Sequence, residues 1–232
     1  RLGYDPWLHT VDGVERLRNA AEAVGGSLVP LDENPIDAVW ETQPPAPITP
    51  VVPHGAEYAG RSIADKRIST AEVIAGDGDD AVVISSPESI AWLLNIRGGD
   101  VPRTPLPLSF AILNRKAAVD LYIDERKLTR ETRDHLGNAV TVRPREALGP
   151  AIDILVADGV ALRVDPASSP SWIARRIEAA GGTVSRGEDP VVLPRALKNP
   201  IELSGTRAAH IRDGVAMTRF LHWFAAEAPG GK

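Results

Sequence analysis

A strand closing on Asp-Pro, a helix stopped by Gly-Gly and a return strand leading to a second Asx-Pro occur twice in this chain. That recurrence limits its fold more than any other feature. The first copy is Leu2-Gly3-Tyr4-Asp5-Pro6, a helical stretch, Gly25-Gly26, Ser27-Leu28-Val29 and Asn34-Pro35. The second is Leu162-Arg163-Val164-Asp165-Pro166, a helical stretch, Gly181-Gly182, Thr183-Val184-Ser185 and Asp189-Pro190. The Asp-Pro landmarks stand 160 residues apart and the Gly-Gly landmarks 156, so the second helical stretch is shorter by four residues. Strand, helix and strand in that order is a βαβ unit. Such units also converge, but landmarks that keep their order favour duplication. Many strands and helices precede the second copy and almost nothing precedes the first. Residues 1–43 therefore read as the tail of a domain whose front half is absent, with a sheet short of neighbours.

Within that tail, Val14, Leu17, Ala21 and Val24 share one face of a helix over Val11 to Val24. Asp12 is a candidate cap for it, with Glu15 three residues on. Gly25-Gly26 ends it, because glycine accepts the left-handed conformation of a helix stop. SLVPL reads as a strand, and Pro35 after Asn34 opens a further helix through Trp40.

Prolines 44, 45, 47, 50 and 53 then punctuate Thr42 to Gly55. Proline donates no hydrogen bond, so the stretch reads as an extended linker and a domain boundary. A second unit starts near Arg61. Its predicted elements are a helix from Ile63 to Ile74, a buried strand at 81–85, a short helix from Pro87 to Asn95, and strands at 106–113 and 117–124. Asn114-Arg115-Lys116 joins the last two as a hairpin. Helices near 127–136 and 145–157, the strand VALRV, a helix from Pro170 to Ala180, the strand TVSR and a short segment at VVLPR complete it.

Asn199-Pro200-Ile201-Glu202 is a strong helix start: Asn caps, Pro takes the first helical position and Glu reaches back. The helix runs on toward Ala228 with two apolar stripes, one of Ala208, Ile211 and Val215, the other of Met217, Phe220, Leu221 and Phe224. A helix apolar on more than one side needs a cover, and the simplest cover is a domain following Lys232.

Reactive groups are few. There is no cysteine, which excludes disulfides, thiolate chemistry and cysteine-bound zinc, and suits a cytoplasmic location. A net charge of -5 with scattered basic residues argues against nucleic acid as a partner. No apolar run approaches the ~20 residues of a membrane span, so no membrane partner is expected. The five histidines, 9, 54, 135, 210 and 222, show no metal-ligand spacing, and no metal-binding residue is assigned. His210 and Asp213 are expected to pair on one helix face. Gly-Asp-Gly-Asp-Asp at 76–80 is a turn rather than a calcium loop, lacking the closing Glu. Most of the five tryptophans are expected to serve packing. No residue qualifies as catalytic.

The unusual polar stretch is Asn95-Ile96-Arg97-Gly98-Gly99-Asp100, set between an apolar run and Pro102, Pro105 and Pro107. Asn95, Arg97 and Asp100 are the candidate substrate-access residues. In the plainer reading Arg97 pairs with Asp100 or with carbonyls at the helix end.

IAWLLNIRGGDVPRTPLPLSFAIL resembles the second-domain motif of long-form aminopeptidase P, the Xaa-Pro aminopeptidases. GYDPWLHT with LVPLDENPIDAVW resembles the end of that family's first domain, and ALKNPIELSGTRAAHIRDGVAMTRFLHW the helix opening its catalytic domain. The resemblance implies an α/β fold, a creatinase/prolidase N-terminal-like domain with a mixed β-sheet flanked by helices, preceded by part of a similar domain and followed by one long helix. It implies three parts: residues 1–54, the end of a first N-terminal domain plus the linker; 55–195, the second, creatinase-like domain; and 196–232, the first helix of a truncated catalytic domain. The parent enzyme would remove the N-terminal residue from peptides with proline second. Two manganese ions, held by two aspartates, one histidine and two glutamates of the missing domain, would activate the water. No cofactor is expected in this portion, which would be inactive alone and would shape substrate access and domain or subunit packing. Its implied partners are its own catalytic domain and short proline-containing peptides, with a homodimer left open. The alternative is a stand-alone binding or scaffold module of the same fold.

Overall fold

A computed structural model describes residues 1–228. The elements in chain order are β1 (Leu2–Tyr4), α1 (Val11–Glu22), β2 (Leu28–Pro30), α2 (Pro35–Val39), β3 (Val52–Pro53), α3 (Ala56–Ala59), α4 (Ile63–Gly76), β4 (Ala81–Ile84), α5 (Pro87–Leu93) and β5 (Ile96–Arg97). They continue with β6 (Phe110–Asn114), β7 (Val119–Tyr122), α6 (Arg130–Leu136), β8 (Val140–Arg143), α7 (Leu148–Ala157), β9 (Leu162–Val164), α8 (Ser171–Ala179), β10 (Ser185–Arg186), α9 (Val192–Ala196) and α10 (Pro200–Glu227).

Six strands form one mixed sheet in the order β10-β9-β4-β6-β7-β8, and β6 alone runs against the rest. The period of two along each strand sorts side chains to opposite faces. Val82 and Ile84 join Ile74 of α4, Ile90 and Leu93 of α5 and Leu136 of α6 in one core. Ala81 and Val83 join Ile152 of α7 and Ile173 and Ile177 of α8 in another. The result is a sheet with helices on both faces, its five co-directional strands placing their carboxyl ends along one edge.

The repeated landmarks adopt matching local geometry. β1 pairs β2 in parallel, as β9 pairs β10. Gly25 and Gly181 both take positive φ, 73° and 87°. The following glycine donates five residues back in each case, Gly26 N to Ala21 O and Gly182 N to Ile177 O, the bond that satisfies a helix's orphan carbonyl. Asn34 Oδ1 accepts from Ile36 N in one copy and Asp189 Oδ1 from Val191 N in the other. The copies also meet reciprocally. Val11 N donates to Ser169 O and Ser171 N to His9 O; Asp12 N donates to Pro166 O and Trp172 N to Pro6 O. Trp7 stacks on Trp172 across this junction, ring centroids 4.2 Å apart. As expected for the first copy, β1 and β2 form a two-stranded sheet.

Several details differ from the sequence reading. Thr10, not Asp12, caps α1, accepting from Gly13 N. Asp12 and Glu15 instead bind Arg186 of the second copy, spending their charge on the junction. β6 begins at Phe110 rather than at residue 106, since Pro105 and Pro107 cannot donate to a ladder. β8, absent from the sequence reading, adds a parallel edge beside β7; with only Val140 and Val142 apolar, its alternation is too short to stand out. The proline-rich segment ends in structure: Val51 is fully buried and β3 pairs antiparallel with β5. The last four residues of the 196–232 assignment lie outside the described residues.

Candidate substrate-access site

Ser86 and Pro87 open α5, whose apolar residues sink into the core, and Asn95 stops it in the left-handed region at φ 47°. Asparagine tolerates that conformation better than other side-chain-bearing residues, which accounts for its place there. Its buried side chain is fully engaged: Oδ1 accepts from Lys66 Nζ at 2.6 Å, and Nδ2 donates to Arg61 O at 2.8 Å. Its carbonyl accepts from His54 N at 2.7 Å and lies 2.9 Å from His135 Nε2. Asn95 is thus a joint among four segments.

Arg97 is half-buried. Its Nη1 donates to the carbonyls of Ile96 at 2.8 Å and Ala91 at 3.2 Å, the helix-end contact foreseen in the plainer reading. Burial lowers its pKa, with Glu202 at the start of α10 partly opposing. Gly98 and Gly99 are there for close approach. A Cβ on Gly98 would sit 2.9 Å from Pro107 backbone, and one on Gly99 would sit 2.7 Å from Thr49 Cγ2.

Asp100 does not hold Arg97. Its Oδ2 accepts from Lys127 Nζ at 2.6 Å and from Leu108 N at 2.7 Å. Both side chains are almost fully shielded, 0% exposed for Asp100 and 6% for Lys127. The Arg-Gly-Gly-Asp turn is tied down by a lysine 27 residues onward, beyond the reach of any local spacing rule.

Sequence reasoning also missed Lys66. It is 1% exposed, faces no carboxylate within salt-bridge distance among the described residues, and donates to Asn95 Oδ1 and Trp92 O. Its ammonium also lies 4.1 Å from the Trp92 ring centroid, a cation–π contact. Burial pulls its pKa down to about 8, Glu202 opposing and Arg97 and Arg61 adding to the effect. Its signal was available: Lys66, Thr70 and Ile74 recur every four residues on the buried face of α4. His54, nearby, has its pKa lowered by burial, then by Arg97 and Lys66, with Glu57 and Glu202 opposing. Lys66 and Arg97 are thus two cations set close together under burial, with Glu202 of α10 the acid that acts on both.

Elsewhere the charged motifs resolve into structure. Asp77 and Asp79 bind Arg163, so the acidic turn at 76–80 is a tether. His210 and Asp213 are both exposed and form no ion pair among the described residues. Trp92 and the Trp7–Trp172 pair serve packing, whereas Trp223 is 57% exposed. No group of three or more His, Cys, Asp or Glu gathers to hold a metal among the described residues.

A mixed sheet clad on both faces, a polar turn pinned by a distant lysine and one long closing helix define an α/β domain. Residues 42–202 match the family model of the Creatinase/Prolidase N-terminal domain, and the chain belongs to that family. It is 34% identical over 97% of its length to a probable Xaa-Pro aminopeptidase P from Coccidioides posadasii (strain RMSCC 757 / Silveira), covering 38% of that protein. The figures are the same, 34%, 97% and 38%, for a probable Xaa-Pro aminopeptidase P from Aspergillus niger. The crystal structure of X-prolyl aminopeptidase from Caenorhabditis elegans, a cytosolic enzyme with a di-nuclear active site, superposes with a TM-score of 0.89 at 28% identity. That match covers 99% of this chain and 38% of the other. The chain therefore spans well under half the length of the relatives it matches.

Proposed function

We propose that the chain is the non-catalytic N-terminal portion of a cytoplasmic Xaa-Pro aminopeptidase, a hydrolase that removes the first residue from peptides with proline second. The observation that carries this reading is α10. It is anchored at its first turn, where Asn199 caps it, Glu202 completes the capping box and Asn199 Nδ2 donates to Ala59 O. Beyond that turn Ile211, Met217, Phe220, Leu221, Trp223 and Phe224 are all more than half exposed. Six such side chains on one helix are an interaction surface, since soluble monomers rarely leave contiguous apolar patches uncovered. The cover this reading assigns is a metallopeptidase domain following α10. Two manganese ions in that domain would supply the activated water. The residues described above would set the direction of α10 and wall the approach to the catalytic mouth.

Within that role the exposed part of Arg97 is assigned to a peptide carboxylate, with Asp100 fixing the turn that presents it rather than touching Arg97. Arg97→Ala in the longer protein is expected to raise KM several-fold for tripeptides and less for longer peptides, with kcat little changed. Identical KM and kcat at every peptide length would reject the assignment. The stand-alone scaffold reading makes a different statement about the gene. An open reading frame continuing into a stretch with two aspartates, one histidine and two glutamates in metal-binding order supports the enzyme. A stop codon close after α10 supports the scaffold.

A further inference from the structure

A crevice of about 700 Å3 opens at the edge of the main sheet, where the carboxyl ends of β4, β7, β8 and β9 converge on the start of β6. This is the topological switch point. From β4 the chain builds the sheet in one direction through β6, β7 and β8, and in the other through β9 and β10. Helical connections leave such a point on opposite faces, and in open α/β sheets ligands bind in the gap between them.

Its walls are apolar at Leu108, Phe110, Ile123, Pro87 and Pro144, and Ser85, whose hydroxyl donates to Ser169 Oγ, is also in the lining. Ala46 and Pro47 of the chain's own linker form part of the rim. Pro44, Pro45 and Pro47 have φ fixed near −65°, and Ala46 precedes a proline, so this stretch is held extended. The crevice therefore already borders one extended proline-rich strand of peptide. Aromatic-lined grooves receive such segments with little order lost on binding, and Phe110 is the aromatic wall here.

The charged groups of the lining are committed with two exceptions. Arg126 is held by Asp124, Lys127 by Asp100, and Glu125 by Arg133. Arg145 has no carboxylate partner among the described residues. Its side chain is exposed and runs beside two aromatic rings, the guanidinium carbon 5.7 Å from the Phe110 centroid and 5.8 Å from Trp7. Glu146, also in the lining, has no cationic partner among the described residues. A guanidinium without a carboxylate partner is suited to bidentate contact with an incoming one.

We infer that this crevice is a peptide-binding site, distinct from the Arg97 turn, for a short extended segment with proline in its interior and a free C-terminal carboxylate on Arg145. The site needs no turnover, so its failure is separable from failure of the peptidase reading. The probe is the tetrapeptide Pro-Pro-Ala-Pro, titrated calorimetrically into the 232-residue chain. Measurable binding is expected, weakened about tenfold by amidating the peptide's C-terminus, about tenfold by Arg145→Ala, and no further by both together. Phe110→Leu keeps the wall apolar while removing the aromatic support of Arg145, and is expected to weaken binding several-fold. The inference is overturned by an absence of binding at millimolar peptide, by additive effects of amidation and Arg145→Ala, or by sensitivity to N-terminal acetylation in place of amidation.

Discussion

Asp100→Ala is expected to lower the unfolding free energy by about 3–5 kcal/mol, the cost of leaving a buried charge without its partner. The substitution strands the Lys127 ammonium, 6% exposed, and takes the acceptor away from Leu108 N. Lys127→Met is expected to cost a similar amount by stranding Asp100, whose Oδ1 already has no hydrogen-bond partner. The double replacement Asp100→Leu with Lys127→Met removes both charges at once. It is expected to cost at least about 2 kcal/mol less than the two single changes added together, because a buried ion pair and an apolar pair of similar volume differ little in net stability. Urea unfolding at neutral pH, fitted with a common slope, reads all three. Single variants within about 1 kcal/mol of the parent, or additive losses, would show that the pair is solvated or dispensable. The result bears on function because this pair fixes the Arg-Gly-Gly-Asp turn against the segment that also lines the switch-point crevice.

The second large effect is a pH dependence centred on Lys66. Its pKa in the folded chain, about 8, lies below the ordinary value of 10.5. Between those values the unfolded chain binds more protons, so stability rises with pH across that window and is flat below it. The full difference is on the order of 3 kcal/mol. The side chains facing the ammonium are Asn95 and Trp92, with Arg97, Arg61 and Glu202 acting at longer range. Tyr122, whose pKa burial raises to about 12, acts in the opposite direction above its ordinary value of 10.0. Measurements between about pH 8 and about pH 9.5 therefore isolate the lysine. Over that range the parent is expected to gain about 1.5 kcal/mol and Lys66→Met less than about 0.5 kcal/mol. A parent curve that is flat or falls over this range, or an equal gain in the variant, would contradict the assignment.

The order of elements was legible because each depends on neighbours in sequence. The helix stops at Gly25 and Gly181, the Asn199 cap and the alternation of β4 all act within a few residues, and all are found where the pattern put them. The repeat was legible for the same reason, as paired local signals in a fixed order. What sequence could not show were partners brought together by the fold. Asp100 meets Lys127, Asp12 meets Arg186 and Asn95 meets Lys66 across separations set by the sheet order rather than by helix or strand period. Of the two contacts offered for Arg97, the helix-end carbonyls are the ones that form, and the Asp100 pair is not, because Asp100 is taken by a lysine that local reasoning cannot reach. The crevice was invisible for the same cause, its lining drawn from the ends of five strands and the linker.

One physical theme connects these results. While many of its cations pair with its own acids, the chain leaves three cations and an exposed apolar helix face without such complements. Lys66, Arg97 and Arg145 lack carboxylate partners within salt-bridge distance among the described residues, and the apolar side chains of α10 are exposed. In the proposed enzyme, peptide and catalytic domain supply those complements.

The measurement that bears most directly on this account is peptidase activity with and without the downstream portion. The purified 232-residue chain, incubated with Arg-Pro-Pro over a manganese titration, is expected to release no arginine above the metal-only control. The longer protein is expected to release it under the same conditions. Manganese-dependent release that co-elutes with the 232-residue chain on gel filtration would contradict the account.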